Sequence, residues 1–191
     1  MIRAGSSGTP SGFVSESPGD GESATTDHPP TLPIPVSHIG MRVADIEAAI
    51  SWYAEILGFS LLQGPMTFTP SDAPALMTSV YGSQWSEIRQ AHMASGNGAG
   101  LELFEFTGSS EDAPHPWRPG SVPGLGAYHF CITSPRIDSL ATQITLSGGR
   151  QNMAISEPAP ETYQMVYCED PFGNPVEINN RSYEQAHSNR G

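Results

Sequence analysis

Two histidines and two glutamates occur at equivalent places in this chain, and both residue types bind metal ions. His38 and His129 each open a segment of alternating polar and apolar residues, whereas Glu102 and Glu177 lie in the contexts Leu-Glu-Leu and Val-Glu-Ile. Imidazole and carboxylate are donors that suit Zn, Ni, Co, Mn or Fe. A lone His or Glu on a strand is usually only hydrated or hydrogen-bonded. The repetition of both favours a four-residue site for one divalent ion.

The segments that carry the two histidines follow the same order of elements. In residues 36–62 an alternating segment is typical of a half-buried strand, and helical spacing then runs from Asp45 to Gly58. Residues 127–153 repeat this order, and Gly148 and Gly149 close the helical stretch. His38 precedes Gly58 by 20 residues, as His129 precedes Gly149. The sequence therefore predicts two copies of one strand–helix unit.

Each unit is followed by segments that are typical of further strands. GLELFEF (100–106) follows WSEIRQAHMA (85–94), and PVEINN (175–180) follows a strand that ends in the turn Asp-Pro-Phe-Gly-Asn. We therefore predict an α+β fold in which two βαβββ modules form an open, barrel-like cavity.

The predicted boundaries follow the composition. The first module has an extra segment with a short helix at 73–81, and a stretch rich in Gly, Pro and Ser precedes it. The predicted parts are a disordered tail at 1–35, the first module at 36–106 with its extra segment at 64–84, a linker at 107–124, the second module at 125–180 and a C-terminal tail at 181–191.

Residue parity places the four candidate ligands on one side of the sheets. If Leu101 and Leu103 face a helix, Glu102 faces the opposite side, and the same reasoning applies to Glu177 between two apolar residues. Phe104 and Phe106 share the face of Glu102 and are candidate substrate contacts, with core packing as the competing interpretation. Glu105 has the opposite parity, which predicts a structural or exposed role. His92 is a candidate cavity residue, but a structural or exposed role is favoured for it as well.

The composition excludes several classes of function. The 191 residues include 20 Asp and Glu but 8 Lys and Arg, all Arg, for a formal net charge of -12. Lysine Schiff-base chemistry is therefore excluded, and nucleic acids or anionic membranes are unfavourable partners. Cys131 and Cys168 form neither a CxxC site nor a disulfide framework. Without a predicted membrane span or signal peptide, we expect a cytoplasmic protein.

Residues 35–180 resemble the vicinal oxygen chelate superfamily, which includes glyoxalase I, methylmalonyl-CoA epimerase, extradiol dioxygenases and bleomycin-resistance proteins. The similarity rests on HIGMRVADIEAAISWYAEILGF, LELFEF and EDPFGNPVEI. It implies paired βαβββ modules around one divalent ion, with ligands at the positions of His38, Glu102, His129 and Glu177. Arg42 matches an arginine that glyoxalase I uses for its thiol cofactor, although an ordinary rim charge is the competing interpretation.

The resemblance also implies a mechanism. The ion would stabilise an oxyanion on a substrate with two neighbouring oxygens, and a carboxylate would move the adjacent proton. Glu177 is the expected base and Glu102 the second candidate. We predict isomerisation, epimerisation or lyase chemistry on a small oxygen-rich molecule, in a homodimer. The alternatives are an Fe(II) extradiol-type dioxygenase and a metal-free binding protein that sequesters small molecules.

Overall fold

The first module begins with the predicted strand and amphipathic helix. Strand β1 (His38–Arg42) leads into helix α1 (Ile46–Leu57). Asp45 caps this helix, since its side chain accepts a hydrogen bond from the Ala48 amide. Gly58 ends the helix in the left-handed region, with φ of 71°, which glycine adopts without steric cost. The apolar face of α1 is buried against the sheet.

Three further strands complete this module. They are β2 (Ser60–Phe68), β3 (Glu87–Ala94) and β4 (Gly100–Thr107), and helix α2 (Ala75–Tyr81) lies in the predicted extra segment. The strand order is β1-β4-β3-β2, with β1 parallel to β4 and the other pairs antiparallel.

The second module repeats this topology. Its elements are β5 (Phe130–Thr133), α3 (Ile137–Leu146), β6 (Arg150–Gln151), β7 (Met165–Glu169) and β8 (Pro175–Asn179), with the strand order β5-β8-β7-β6. The two mixed sheets and their helices confirm the predicted α+β fold of two open βαβββ modules.

The segment predicted as a C-terminal tail contains a short helix. Helix α4 (Tyr183–His187) starts at a capping box, in which the Ser182 and Gln185 side chains each bond the other's backbone amide. This local pairing supplies the helix start.

One hydrophobic core spans both modules. On α1, the Trp52 indole donates to the Ser147 hydroxyl at 2.8 Å, and the buried Tyr53 hydroxyl donates to Asp170 at 2.5 Å. The Tyr53 ring also lies 6.5 Å from the Phe130 and Phe172 rings, measured between centroids. Residues from both helices and both sheets therefore share one buried interior.

The computed structural model describes residues 33–72, 75–82, 85–107, 123, 126–158 and 163–188. Both modules lie within one compact unit, residues 36–191. Most of the predicted disordered tail, 1–35, and of the predicted linker, 107–124, is outside the described residues. None of the helices within the described ranges has the length and apolar character that crossing a membrane requires.

Candidate metal centre

In the first module, β1 and β4 bring His38 and Glu102 together. Leu101 and Leu103 are buried on the helix side of β4, so Glu102 projects from the opposite face. His38 Nε2 lies 3.4 Å from Glu102 Oε2. The other ring nitrogen of His38 lies 3.4 Å from the Ser37 hydroxyl. The face predicted from parity therefore carries a His–Glu pair.

A glycine makes room for His38. Gly100 is its register partner on β4, and a Cβ atom at this position would lie 2.9 Å from the Cβ of His38. Real Cβ contacts are essentially never this short. Any larger residue at position 100 would therefore displace the histidine.

His92 adds a second imidazole to the first pair. It lies directly opposite Glu102 in the β3–β4 register, and its Nδ1 is 3.2 Å from Glu102 Oε1. The interpretation favoured from sequence, a structural or exposed role, placed it outside the site. His92 is identified by its pairing with Glu102 across the two strands, and predicting this pairing requires the register between β3 and β4.

In the second module, β5 and β8 hold the equivalent pair. His129 directly precedes β5, and its Nε2 lies 2.9 Å from Glu177 Oε2. Val176 and Ile178 are fully buried on the helix side of β8, so Glu177 projects from the other face. The Nδ1 atom of His129 is buried without a hydrogen-bond partner among the described residues. This pair is more buried than the first, with Glu177 13% and Glu102 23% exposed.

Tyrosines and a thiol surround Glu177. Tyr167 lies opposite it in the β7–β8 register, and its ring stands perpendicular to that of His129 at 5.3 Å. Burial, then hydrogen bonding to Tyr128 and the charge of Glu177, raise the pKa of Tyr167, so its hydroxyl stays protonated. Cys131 is exposed as a whole residue, but burial around its sulfur and the Glu177 charge raise the pKa of this thiol to about 12. Both groups are neutral at ordinary pH.

The predicted substrate contacts lie further along the polar face of the first sheet, partly covered by α2. The rings of Phe104 and Phe106 stack at 6.2 Å, and Tyr81 of α2 packs edge-on against both. The Arg42 guanidinium carbon lies 5.5 Å from the Phe106 ring centroid. The three aromatic rings pack against a second apolar cluster, which consists of Met77, Trp85 and Ile88. The extra segment thus contributes a helix to this face.

Glu105 lies outside the metal centre, as its parity predicts. Its carboxylate accepts a hydrogen bond from the Ile46 amide at the start of α1 at 3.0 Å. The same carboxylate accepts a hydrogen bond from Arg89 at 3.2 Å. A carboxylate at a helix N-terminus is favourable because it complements the helix dipole. Glu105 therefore anchors α1 to the sheet.

The spacing within each pair fits two ligands of one ion. Donors about 2.0–2.1 Å from an ion at angles of about 90–110° lie about 2.8–3.4 Å apart. The two pairs measure 3.4 and 2.9 Å, and together they supply two nitrogens and two oxygens. The described part of the chain brings the four residues together as two pairs and contains no larger His, Cys, Asp or Glu group able to hold an ion.

A separate groove of about 760 Å³ lies between the modules. It is lined by residues of β1, β5, α1 and α3, including Ile39, Phe59, Phe130, Arg136 and Leu140, and by none of the four candidate ligands. The groove and the two His–Glu pairs are thus different features.

Comparison with known proteins assigns the fold. The family model described as Glyoxalase/Bleomycin resistance protein/Dioxygenase superfamily matches residues 36–178. A lactoylglutathione lyase of Pseudomonas putida is 27% identical over 167 residues, which cover 78% of this chain and 87% of that protein.

Solved structures agree with this assignment at the level of fold. A glyoxalase family protein from Bacillus cereus superimposes with a TM-score of 0.63 at 18% identity, covering 80% of this chain and 97% of that one. Glyoxalase I from Zea mays gives a TM-score of 0.52 at 21% identity, and the match covers 77% of this chain but 44% of the maize chain.

Proposed function

Because this chain belongs to the glyoxalase/bleomycin resistance protein/dioxygenase superfamily, we propose that it is a metal-dependent enzyme that moves a proton in a small oxygen-rich substrate. The reaction class is an isomerisation, an epimerisation or a lyase step. The observation that carries this proposal is the His–Glu pair at ligand spacing on each of two equivalent sheet faces.

Four residues would hold one divalent ion, namely His38, Glu102, His129 and Glu177. Each pair offers two donors, catalytic zinc sites use three protein ligands, and the described residues form no group of three that could hold an ion, so the proposed site draws on both pairs. Zn, Ni, Co, Mn and Fe all accept this donor set. A bound ion would supply Lewis acidity, which stabilises negative charge on two neighbouring substrate oxygens.

Glu177 is the proposed general base, with Glu102 as the second candidate. Each carboxylate lies beside a candidate imidazole ligand of its own module, but Glu177 is the less exposed of the two, at 13% against 23%. Exclusion of water strengthens the interaction of a carboxylate with the reacting atoms beside it.

The first module would contact the remainder of the substrate. Phe104 and Phe106 provide an apolar wall, and Arg42 beside Phe106 provides positive charge for an anionic group. The similar Pseudomonas protein is named a lactoylglutathione lyase. The net charge of -12 and the single arginine of this wall give little support for a glutathione site. A different, specialised substrate is therefore proposed.

A homodimer would bring the two pairs together. In this arrangement, His38 and Glu102 of one chain meet the second-module pair of another copy. Each pair supplies two donors, which supports a site built from both modules. The family resemblance supports a site in which the two modules come from different chains.

The test is hydrogen–deuterium exchange at the carbon next to the oxygen pair, followed by NMR. The probes are α-hydroxyketones, α-hydroxy thioesters and the methylglyoxal–glutathione hemithioacetal, each with Co²⁺-loaded protein. We expect metal-dependent exchange in at least one probe and a loss of about 10²–10⁴-fold in Glu177→Gln. The exposed Glu184→Gln variant is the control. Robust turnover of the hemithioacetal would contradict the proposed specialised substrate.

The same samples separate the two alternatives. Ring cleavage of catechols on admission of oxygen to Fe²⁺-loaded protein would identify a dioxygenase. Ligand binding that survives complete chelation, without exchange in any probe, would identify a binding protein.

A further inference from the structure

The glutamates of the two modules have equivalent neighbours across the sheet. His92 on β3 lies opposite Glu102 on β4, and Tyr167 on β7 lies opposite Glu177 on β8. In each case the neighbour precedes the glutamate by ten residues. A polar side chain therefore faces each candidate ligand from the adjacent strand in both modules.

We infer that His92 and Tyr167 are positioning residues, which orient the carboxylates of Glu102 and Glu177 for metal binding. This inference rests on the proposed function and adds two residues to its site.

The contacts of His92 divide the two oxygens of Glu102 between two partners. His92 Nδ1 lies 3.2 Å from Oε1, whereas His38 Nε2 lies 3.4 Å from Oε2. A carboxylate held at one oxygen cannot rotate freely, so its other oxygen keeps a fixed direction. In this arrangement His92 anchors Oε1, and Oε2 faces His38, the other candidate ligand of the first module.

Tyr167 performs the equivalent task with a different group. Its hydroxyl takes part in hydrogen bonds with Tyr128 and Glu177. Its ring stands at 88° to the His129 ring, which is itself 2.9 Å from Glu177. Tyr167 thus contacts both members of the second pair and restrains the imidazole as well as the carboxylate.

Outer partners of this kind raise metal affinity because they reduce the reorganisation that binding requires. Loss of one such partner typically lowers metal affinity by about 10–100-fold. His92 and Tyr167 are both half-buried. Removing one polar group from either side chain therefore leaves the packing largely intact. His92 is 31% exposed, for example.

The experiment measures Co²⁺ affinity by competition with a chelator, and the visible spectrum of the bound Co²⁺. The variants are His92→Phe and Tyr167→Phe, which delete the hydrogen-bonding groups and keep an aromatic ring. His92→Asn restores a donor near the position of Nδ1, and Tyr183→Phe on the exposed face of α4 is the control. Thermal unfolding verifies that each variant is folded.

We expect His92→Phe and Tyr167→Phe to lose about 10–100-fold in Co²⁺ affinity and to change the Co²⁺ spectrum. His92→Asn should recover part of that affinity, and Tyr183→Phe should match the parent. Affinities within twofold of the parent, with unchanged spectra, would overturn the inference and leave the proposed function standing. A parent that binds no Co²⁺ would contradict the proposed function, and the inference with it.

Discussion

Glu102 and Glu105 lie three residues apart on the same strand and project from opposite faces of the sheet. Glu102 Oε2 faces His38 Nε2 at 3.4 Å, whereas Glu105 accepts a hydrogen bond from the Ile46 amide at the start of α1. Two carboxylates on one strand thus have separate surroundings. Substituting each glutamate in turn therefore tests metal binding and folding stability separately.

Glu102→Ala should abolish or strongly weaken metal binding while changing the free energy of unfolding little. Glu102 lies outside the core and contacts the partly exposed His38 and His92, and substitutions at such surface positions usually change the free energy of unfolding by within about 0.5 kcal/mol. Glu105→Ala should keep metal binding and lose about 1–2 kcal/mol, because the helix start loses its acceptor. Urea unfolding of metal-free protein and Co²⁺ titration provide the two readouts. Equal metal affinities in the two variants would contradict the assignment of faces.

The buried Tyr53–Asp170 contact predicts a pH-dependent contribution to stability. Burial raises the pKa of Asp170, although hydrogen bonds from Tyr53, Asn174 and Phe172 oppose this shift. The folded protein therefore retains a proton on Asp170 at pH values where the unfolded chain has released it. The resulting stabilisation is complete below the ordinary aspartate pKa and is lost as the pH rises through the folded value.

Asp170→Asn removes this titration and is the variant for the test. The free energy of unfolding of the parent, relative to that of Asp170→Asn, should fall as the pH rises above the ordinary aspartate pKa of about 4. Urea unfolding at several pH values measures this difference. Tyr53→Phe should cost about 1–3 kcal/mol, since it leaves a buried carboxyl oxygen without its donor. A pH-independent difference between parent and Asp170→Asn would refute the raised pKa.

The proposed homodimer can be tested by complementation. One variant carries His38→Ala and Glu102→Ala, and the other carries His129→Ala and Glu177→Ala. If each site combines modules of two chains, a mixed dimer has one intact site, and mixing the variants should restore metal binding to about one ion per mixed dimer. Refolding the two variants together ensures exchange. If one chain supplies both modules, no mixture contains an intact site, and restoration should be absent.

Much of the fold follows from local patterns in the sequence. The alternation at His38 and the helical spacing after Asp45 recur in the second module. In both modules the structure has the strand and the helix that these patterns predict. The parity that separates Glu102 from Glu105 depends only on the two-residue period of a strand. These features need no knowledge of how the modules are arranged.

Other features of the site depend on contacts that the local pattern does not specify. His92 and Tyr167 require the register between neighbouring strands, although the shared ten-residue spacing to each glutamate is a signal that sequence inspection could use. The cover of α2 over Phe104 and Phe106 depends on tertiary packing of an insertion. The proposed convergence of the four candidate ligands depends on how the modules meet, which strand parity does not determine.

Elemental analysis of the purified parent protein tests the central claim most directly, beside a variant carrying His38→Ala and Glu177→Ala. A variant carrying His187→Ala and Glu184→Ala, in the terminal helix, is the matched control. The proposal predicts about one equivalent of a transition metal per chain in the parent and the control, and none in the first variant. No metal in the parent after incubation with each ion, or equal metal in all three proteins, would contradict it.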